Sequence, residues 1–186
     1  MTDESRIIKR CIRKDRSAQQ QLFDMYASIL LGVCRRYTLD LPEAEDILQE
    51  GFIKIFLNLK NFSGKGPLIN WMRKIMINTA ITYYHKHYKH RFHQEIEESE
   101  TTGVLTVEEW DADFTREELL KVIQDLPPGY RMVFNLYAIE GYKHKEIGEL
   151  LDIDVNTSKS QYSRARKLIR EQLMKLEKKK KLKTLK

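Results

Sequence analysis

Cysteine is nearly absent from this chain of 186 residues, and neither of its two copies suggests chemistry. Cys11 falls among Ile7, Ile8 and Ile12 at helical spacing, and Cys34 among Leu30, Leu31 and Tyr37, so both read as buried thiols rather than a redox or metal pair. Proline (4) and glycine (8) are scarce, and alternating β-branched runs are few, which argues against a β fold and for an all-α protein. No apolar run reaches the length of a membrane span, and Met1-Thr2-Asp3-Glu4-Ser5 lacks a basic segment followed by an apolar stretch, so a cytoplasmic location without membrane insertion is expected. Nucleophile-base constellations, phosphate-cradling glycine loops and cofactor fingerprints are also missing, which predicts no enzymatic activity and no cofactor.

What the chain does have is a hydrophobic fraction of 41%, enough for real cores, and a formal charge of +6 that favours an anionic partner. Where the charge lies has to decide which partner. The informative stretch is Tyr142 to Arg170. Ile147, Leu150 and Leu151 recur at the spacing that lines one face of a helix over His144 to Leu151. Asp152-Ile153-Asp154 then predicts a tight turn, with Asp152 in a left-handed conformation, Ile153 buried, and the Asp154 carboxylate capping the next helix. That helix, Val155 to about Met174, keeps Ala165, Leu168, Ile169 and Leu173 for packing and turns Lys159, Ser160, Ser163, Arg164 and Arg166 outward. Such a division suits a recognition helix entering a major groove.

Upstream, periodicity predicts helices over Glu4 to Lys14, then to about Tyr37, then from Pro42 with Ala44, Ile47, Leu48, Phe52, Ile55, Phe56 and Leu59 inward. The outer face of the third is acidic early on. Asn61 to Pro67 is a loop, because two glycines and a proline forbid helix. A fourth helix spans about Leu68 to Lys89 and ends in the basic, aromatic tract His85 to His93, which suits a phosphate backbone. From Gln94 to Glu118 the composition inverts to carboxylates against a single Arg116, marking a linker between two domains. Leu119, Leu120, Ile123 and Leu126 then predict a helix stopped by Pro127-Pro128, and Val133, Phe134, Leu136 and Tyr137 another that ends near Gly141. Lys175 through Lys186 has little to bury and is expected to fray.

Pro42-Glu43-Ala44-Glu45-Asp46-Ile47-Leu48-Gln49-Glu50-Gly51-Phe52, the segment from Phe62-Ser63-Gly64 through Trp71-Met72-Arg73-Lys74-Ile75 to Asn78, and Leu126-Pro127-Pro128 followed by Glu146-Ile147 and Thr157 to Arg166 occur in one order. In that order the chain resembles the extracytoplasmic-function (ECF) sigma factors of bacterial RNA polymerase across nearly its full length. The resemblance implies a region 2-like domain over 1–93, an acidic linker over 94–115, a region 4-like helix-turn-helix domain over 116–174 and a lysine-rich tail over 175–186. It implies docking on core polymerase through Asp46, Gln49 and Glu50, and −10 element recognition and melting through Phe62, Ser63, Lys65, Trp71, Arg73, Lys74 and Asn78. For the −35 element it implies Asn156, Thr157, Lys159, Ser160, Ser163, Arg164 and Arg166. Core polymerase and promoter DNA are the implied partners, with an anti-sigma factor that holds the protein inactive.

Elementary chemistry agrees with these roles. A docking helix needs carboxylates on one side and an apolar stripe on the other, and a melted base needs aromatic and hydrogen-bonding groups beside cations. Trp71 taken alone reads more readily as core. The chain departs from the family pattern at Lys143, where a Ser or Thr cap is common, at Thr82, at Ser158 in place of an aliphatic residue, and at Gln161-Tyr162 in place of Arg-Leu. Two other classes compete with this reading: a self-sufficient helix-turn-helix regulator that binds duplex DNA alone, and a metal site built on His85, His87, His90 and His93. The histidine tract lacks neighbouring carboxylate or Cys ligands and reads better as a basic helix end with no metal.

Overall fold

Asp15 illustrates how the chain sets its helix boundaries. In the computed structural model its carboxylate accepts from the Ser17 and Ala18 amides at 3.0 and 3.2 Å and so starts α2 (Arg16–Cys34) just after α1 (Asp3–Ile12) has ended. Arg10 Nε lies 2.9 Å from the same carboxylate, and this hydrogen bond, with those from the two amides, holds the Asp15 carboxyl below its ordinary value. The structure describes residues 3–88 and 113–184, and among them every regular element is helical. Most of the expected linker, 94–115, together with His90 and His93, lies outside the described residues.

The chain divides into two compact units, Met1–Tyr83 and Tyr84–Lys186. In the first, α3 (Leu41–Asn58) begins on the Asp40 cap with Pro42 in its opening turn, and a 3-10 turn over Leu59–Asn61 leads to the loop before α4 (Leu68–His87). Leu22, Leu30, Ile47, Ile55, Leu59, Leu68, Met72 and Met76 form its core, each at most 1% exposed. Burying each such side chain contributes about 1.5–3 kcal/mol. Gly51 matters here because a Cβ at that position would lie 2.2 Å from Met76 Sδ, so any larger residue would force the buried Met76 side chain out of its place.

In the second unit, α5 (Arg116–Gln124) opens with a complete capping box. The Glu118 amide donates to Thr115 Oγ1 at 3.2 Å, and the Thr115 amide donates to Glu118 Oε2 at 2.9 Å. Val122 and Gln124 carry its buried edge, with Leu126 buried just beyond its end, whereas Leu119, expected inward, is 42% exposed. α6 (Pro128–Phe134) widens into a single π turn over Asn135–Ile139, which periodicity did not predict, and Gly141 at φ 80° ends it. α7 (His144–Leu151) and α8 (Val155–Thr184) complete the unit.

The lysine-rich segment does not fray as expected, since α8 continues to Thr184 for 30 residues. Lys180 Nζ explains this by reaching Glu118 Oε2 at 2.6 Å and the Asp113 carbonyl at 2.5 Å while lying 5.2 Å from the centre of the Phe114 ring. Lys181 adds an ion pair to Glu177 at 2.8 Å, one helical turn away.

Candidate nucleic-acid interface

The acidic segment lies on α3, whose inward side is fixed by Ala44, Ile47, Leu48, Phe52 and Ile55, all buried. Asp46, Gln49 and Glu50 are all exposed on the other side. Lys54 Nζ sits 2.7 Å from Glu50 Oε1 and 3.3 Å from Thr79 Oγ1, tying this face to α4. Tyr83 of α4 stands near the start of the same helix. Burial first, then the charges of Glu43, Asp46 and Asp40, pushes its phenol above the ordinary value. Sequence reasoning missed Ile53 and Leu57, which are 60% and 69% exposed. They extend the Asp46–Gln49–Glu50 face by three- and four-residue steps, the signal that could have found them.

The loop after α3 turns at Gly64, whose φ of 72° suits glycine, and leaves Ser63 and Lys65 exposed. Phe62 and Trp71 pack with ring centroids 5.7 Å apart, tilted by 51°, and both are half-buried. Trp71 is therefore neither closed core nor a free platform. Along α4, Trp71, Lys74 and Asn78 follow one helical face at i, i+3 and i+7, with Lys74 and Asn78 exposed. Arg73 is half-buried and falls on a different side of the helix, so it does not join them.

The helix-turn-helix forms as its residues imply. Asp152 adopts the left-handed conformation, φ 53° and ψ 56°, and its amide donates to the Gly148 carbonyl. Asp154 Oδ1 accepts from the Asn156 amide at 2.7 Å and caps α8. Ile153 is half-buried rather than fully enclosed as expected, and the turn is packed against α7 through backbone: a Cβ at Gly148 would come within 2.9 Å of the Ile153 carbonyl oxygen. Lys143 leaves half a capping box, its amide donating to Glu146 Oε2 at 2.7 Å.

On α8, Ser158, Gln161 and Ala165 are buried, while Asn156, Ser160 and Ser163 run down the opposite side at i, i+4 and i+7. Thr157 and Arg164 border that side on one flank, and Lys159 and Arg166 on the other. The domain's own aromatics hold both arginines. Arg164 Nη1 donates to Tyr130 Oη at 3.3 Å, and the Arg166 guanidinium lies 5.7 Å from the centre of the Tyr162 ring. Two of the departures from the family pattern also find their place. Ser158 pairs with His144, whose Nδ1 is 2.9 Å from its Oγ, and Tyr162 packs 4.5 Å from Tyr137 and 6.3 Å from Phe134, centroid to centroid.

Comparison with known proteins places these elements. Residues 22–90 match the model of sigma-70 region 2, and residues 116–169 match that of sigma-70 region 4. The ECF RNA polymerase sigma factor SigW of Bacillus subtilis is 31% identical over 177 residues, covering 89% of this chain and 94% of the relative. The chain belongs to the ECF sigma factors. The ECF RNA polymerase sigma-E factor of Haemophilus influenzae is 27% identical, covering 95% of this chain and 97% of its own length. A solved sigma factor, RpoE of Bartonella quintana in complex with the anti-sigma factor NepR, aligns over 83% of this chain and 96% of its own, with 18% identity and a TM-score of 0.49. As an ECF sigma factor the chain partners core RNA polymerase and promoter DNA in promoter-specific transcription initiation. No helix among the described residues is long and apolar enough to cross a membrane, and none of them form a group of three potential metal ligands.

Proposed function

We propose that two parts of the chain divide the work of initiation: the region 2-like part, 1–93, docks on core polymerase and holds the melted −10 strand, and the region 4-like part, 116–174, reads the −35 element as duplex. The acidic stretch 94–115 links them through channels whose positive walls its carboxylates match. What most supports this reading is the division of α8, which buries Ser158, Gln161 and Ala165 and leaves Asn156, Ser160 and Ser163 on the outward side between flanking cations. Lys159 and Arg166 supply charge for phosphates or guanine edges, and Arg164, held by Tyr130, reaches the DNA from a fixed position. For −10 recognition, the Trp71–Lys74–Asn78 face and the Ser63–Lys65 loop place hydrogen-bonding groups and cations beside the half-buried Phe62–Trp71 pair.

Asp46, Gln49 and Glu50 dock on core, with Ile53 and Leu57 as apolar surface that a protein partner covers. An anti-sigma factor competes for the protein until a signal releases it. The protein acts in the cytoplasm, without a cofactor and without catalysis of its own, and the polymerase supplies the chemistry. Run-off transcription with purified core enzyme on randomised promoters tests the whole reading. Replacing Asp46, Gln49 and Glu50 together by Ala is expected to weaken core binding about tenfold or more, since interface energy concentrates in few residues. A gel shift decides the competing class: tight, specific duplex binding without core enzyme would make the protein a self-sufficient regulator.

A further inference from the structure

His144 opens α7 and turns its ring toward α8. Nδ1 lies 2.9 Å from Ser158 Oγ, and the ring stacks on Tyr137 at 4.2 Å and 13°, with Tyr162 tilted at 5.9 Å. Ser158 is fully buried and sits between Thr157 and Lys159, inside the turns that face DNA. An aliphatic side chain at this position would be held by packing alone, whose pairwise attractions have little direction. A buried hydroxyl joined to a stacked ring narrows the helix rotations allowed, since a hydrogen bond weakens steeply with misalignment. We propose that His144 is a positioning residue for promoter recognition: its neutral ring, stacked on Tyr137 and bonded to Ser158, sets the rotation of the first turns of α8, and protonating the ring relaxes that setting. The inference rests on α8 being the −35 reader.

The hydrogen bond itself survives protonation, because a hydroxyl both donates and accepts. The added charge is what disturbs the site. It arises at the first position of α7, where the helix amides already present positive potential. Lys159 faces the ring from α8, Arg166 lies beyond it over Tyr162, and the phenols of Tyr137 and Tyr162 complete the surroundings. Glu146, on the same helix, is engaged by the Lys143 amide at 2.7 Å. Burial first, then Lys159, holds the imidazole below its ordinary value. The folded protein thus binds the proton less readily than the unfolded chain does. The setting is fully present above the ordinary imidazole value of about 6.5 and is lost as the pH falls below it toward the depressed one.

The test uses the full chain with core polymerase and the promoter recovered from randomised templates, with affinity followed by fluorescence anisotropy at pH 7.5 and 6.0. His144→Gln keeps a polar partner for Ser158 and does not titrate. The ratio of wild-type to variant affinity cancels the titration of polymerase and DNA, and it is expected to fall about threefold between the two pH values, the scale of a charge at a helix end. Ser158→Val is expected to leave core binding unchanged and to relax base preference in the −35 element. A ratio that does not move with pH, or a Ser158→Val protein with undiminished −35 preference, overturns the assignment of His144 while leaving the reading of α8 intact. If base changes in the −35 element alter nothing for the wild type, the reading of α8 itself fails and this inference falls with it.

Discussion

The two units hold together by different means. In the first, long helices of 19, 18 and 20 residues enclose an apolar core, and besides the Tyr37 phenol the buried polar side chains among its described residues are Thr38 and Thr79, which return their hydroxyls to the Cys34 and Ile75 carbonyls. In the second, α5, α6 and α7 have 9, 7 and 8 residues, and the interior includes Gln124, Arg131, Asn135, Ser158 and Gln161. Arg131 Nη2 donates to the Leu126 carbonyl at 3.1 Å, and Asn135 Nδ2 to the Arg131 carbonyl at 2.9 Å. Helices this short bury too little apolar surface to fix their own directions, and directional bonds supply what area cannot. A unit that has to present one helix to a groove in a single rotation gains most from such bonds.

This contrast breaks down if apolar truncation and polar deletion cost the same in both units. Ile55 is completely buried on α3, so Ile55→Ala leaves a cavity and is expected to destabilise the first unit by about 3–4 kcal/mol. Trp71 fluorescence during urea unfolding reads that loss, in a Trp110→Phe background so that a single tryptophan reports. Asn135→Ala, at a site equally buried, removes a hydrogen bond rather than a large volume and is expected to cost about 2 kcal/mol. Amide exchange at Val133, Leu136 and Ile147 should accelerate while exchange at Leu22, Leu30 and Ile47 does not. Equal acceleration in both sets would mean that the units do not differ as described.

Much of this was legible from local chemistry. Asp15, Pro42, Asp152, Asp154 and Pro127-Pro128 mark boundaries through bonds to neighbours within a few residues, so the helices fall where capping and proline rules place them. The seven −35 candidates fall on or beside the outward side of α8 because a single helix period governs them. What stayed hidden depends on contacts between elements. The His144–Ser158 bond joins residues 14 apart across a turn, and periodicity carries no information about such pairs. Ile53 and Leu57 fall outside the inward stripe of α3 that periodicity gives, but a helix period alone does not say that large apolar side chains on the outer face stay 60% and 69% exposed instead of being covered by another element. The π turn at Asn135–Ile139 has no sequence rule to announce it.

The extension of α8 is the extreme case, for it depends on a partner 62 residues away. A lysine-rich segment on its own reads as a fraying tail, yet Lys180 pins it to the capping box of α5. Lys180→Ala should therefore free the end of the helix and do little else, the smallest effect in this series. Helical carbon shifts of residues 176–182, followed by NMR, are expected to move toward random coil in the variant while those of 156–166 stay in place. The bond to Lys180 first, then that from the Thr115 amide, holds the Glu118 carboxyl below its ordinary value. A carboxyl lowered in this way contributes above its unfolded value, and the contribution is lost as the pH falls through the folded one. In the wild type the end of α8 should accordingly stay helical down to the ordinary carboxylate range and loosen only below it, whereas in Lys180→Ala it is loose at every pH. A variant whose 176–182 shifts matched the wild type would show that the segment's own helix propensity, with pairs such as Lys181–Glu177, suffices, and that the clasp to α5 follows from the helix rather than causing it.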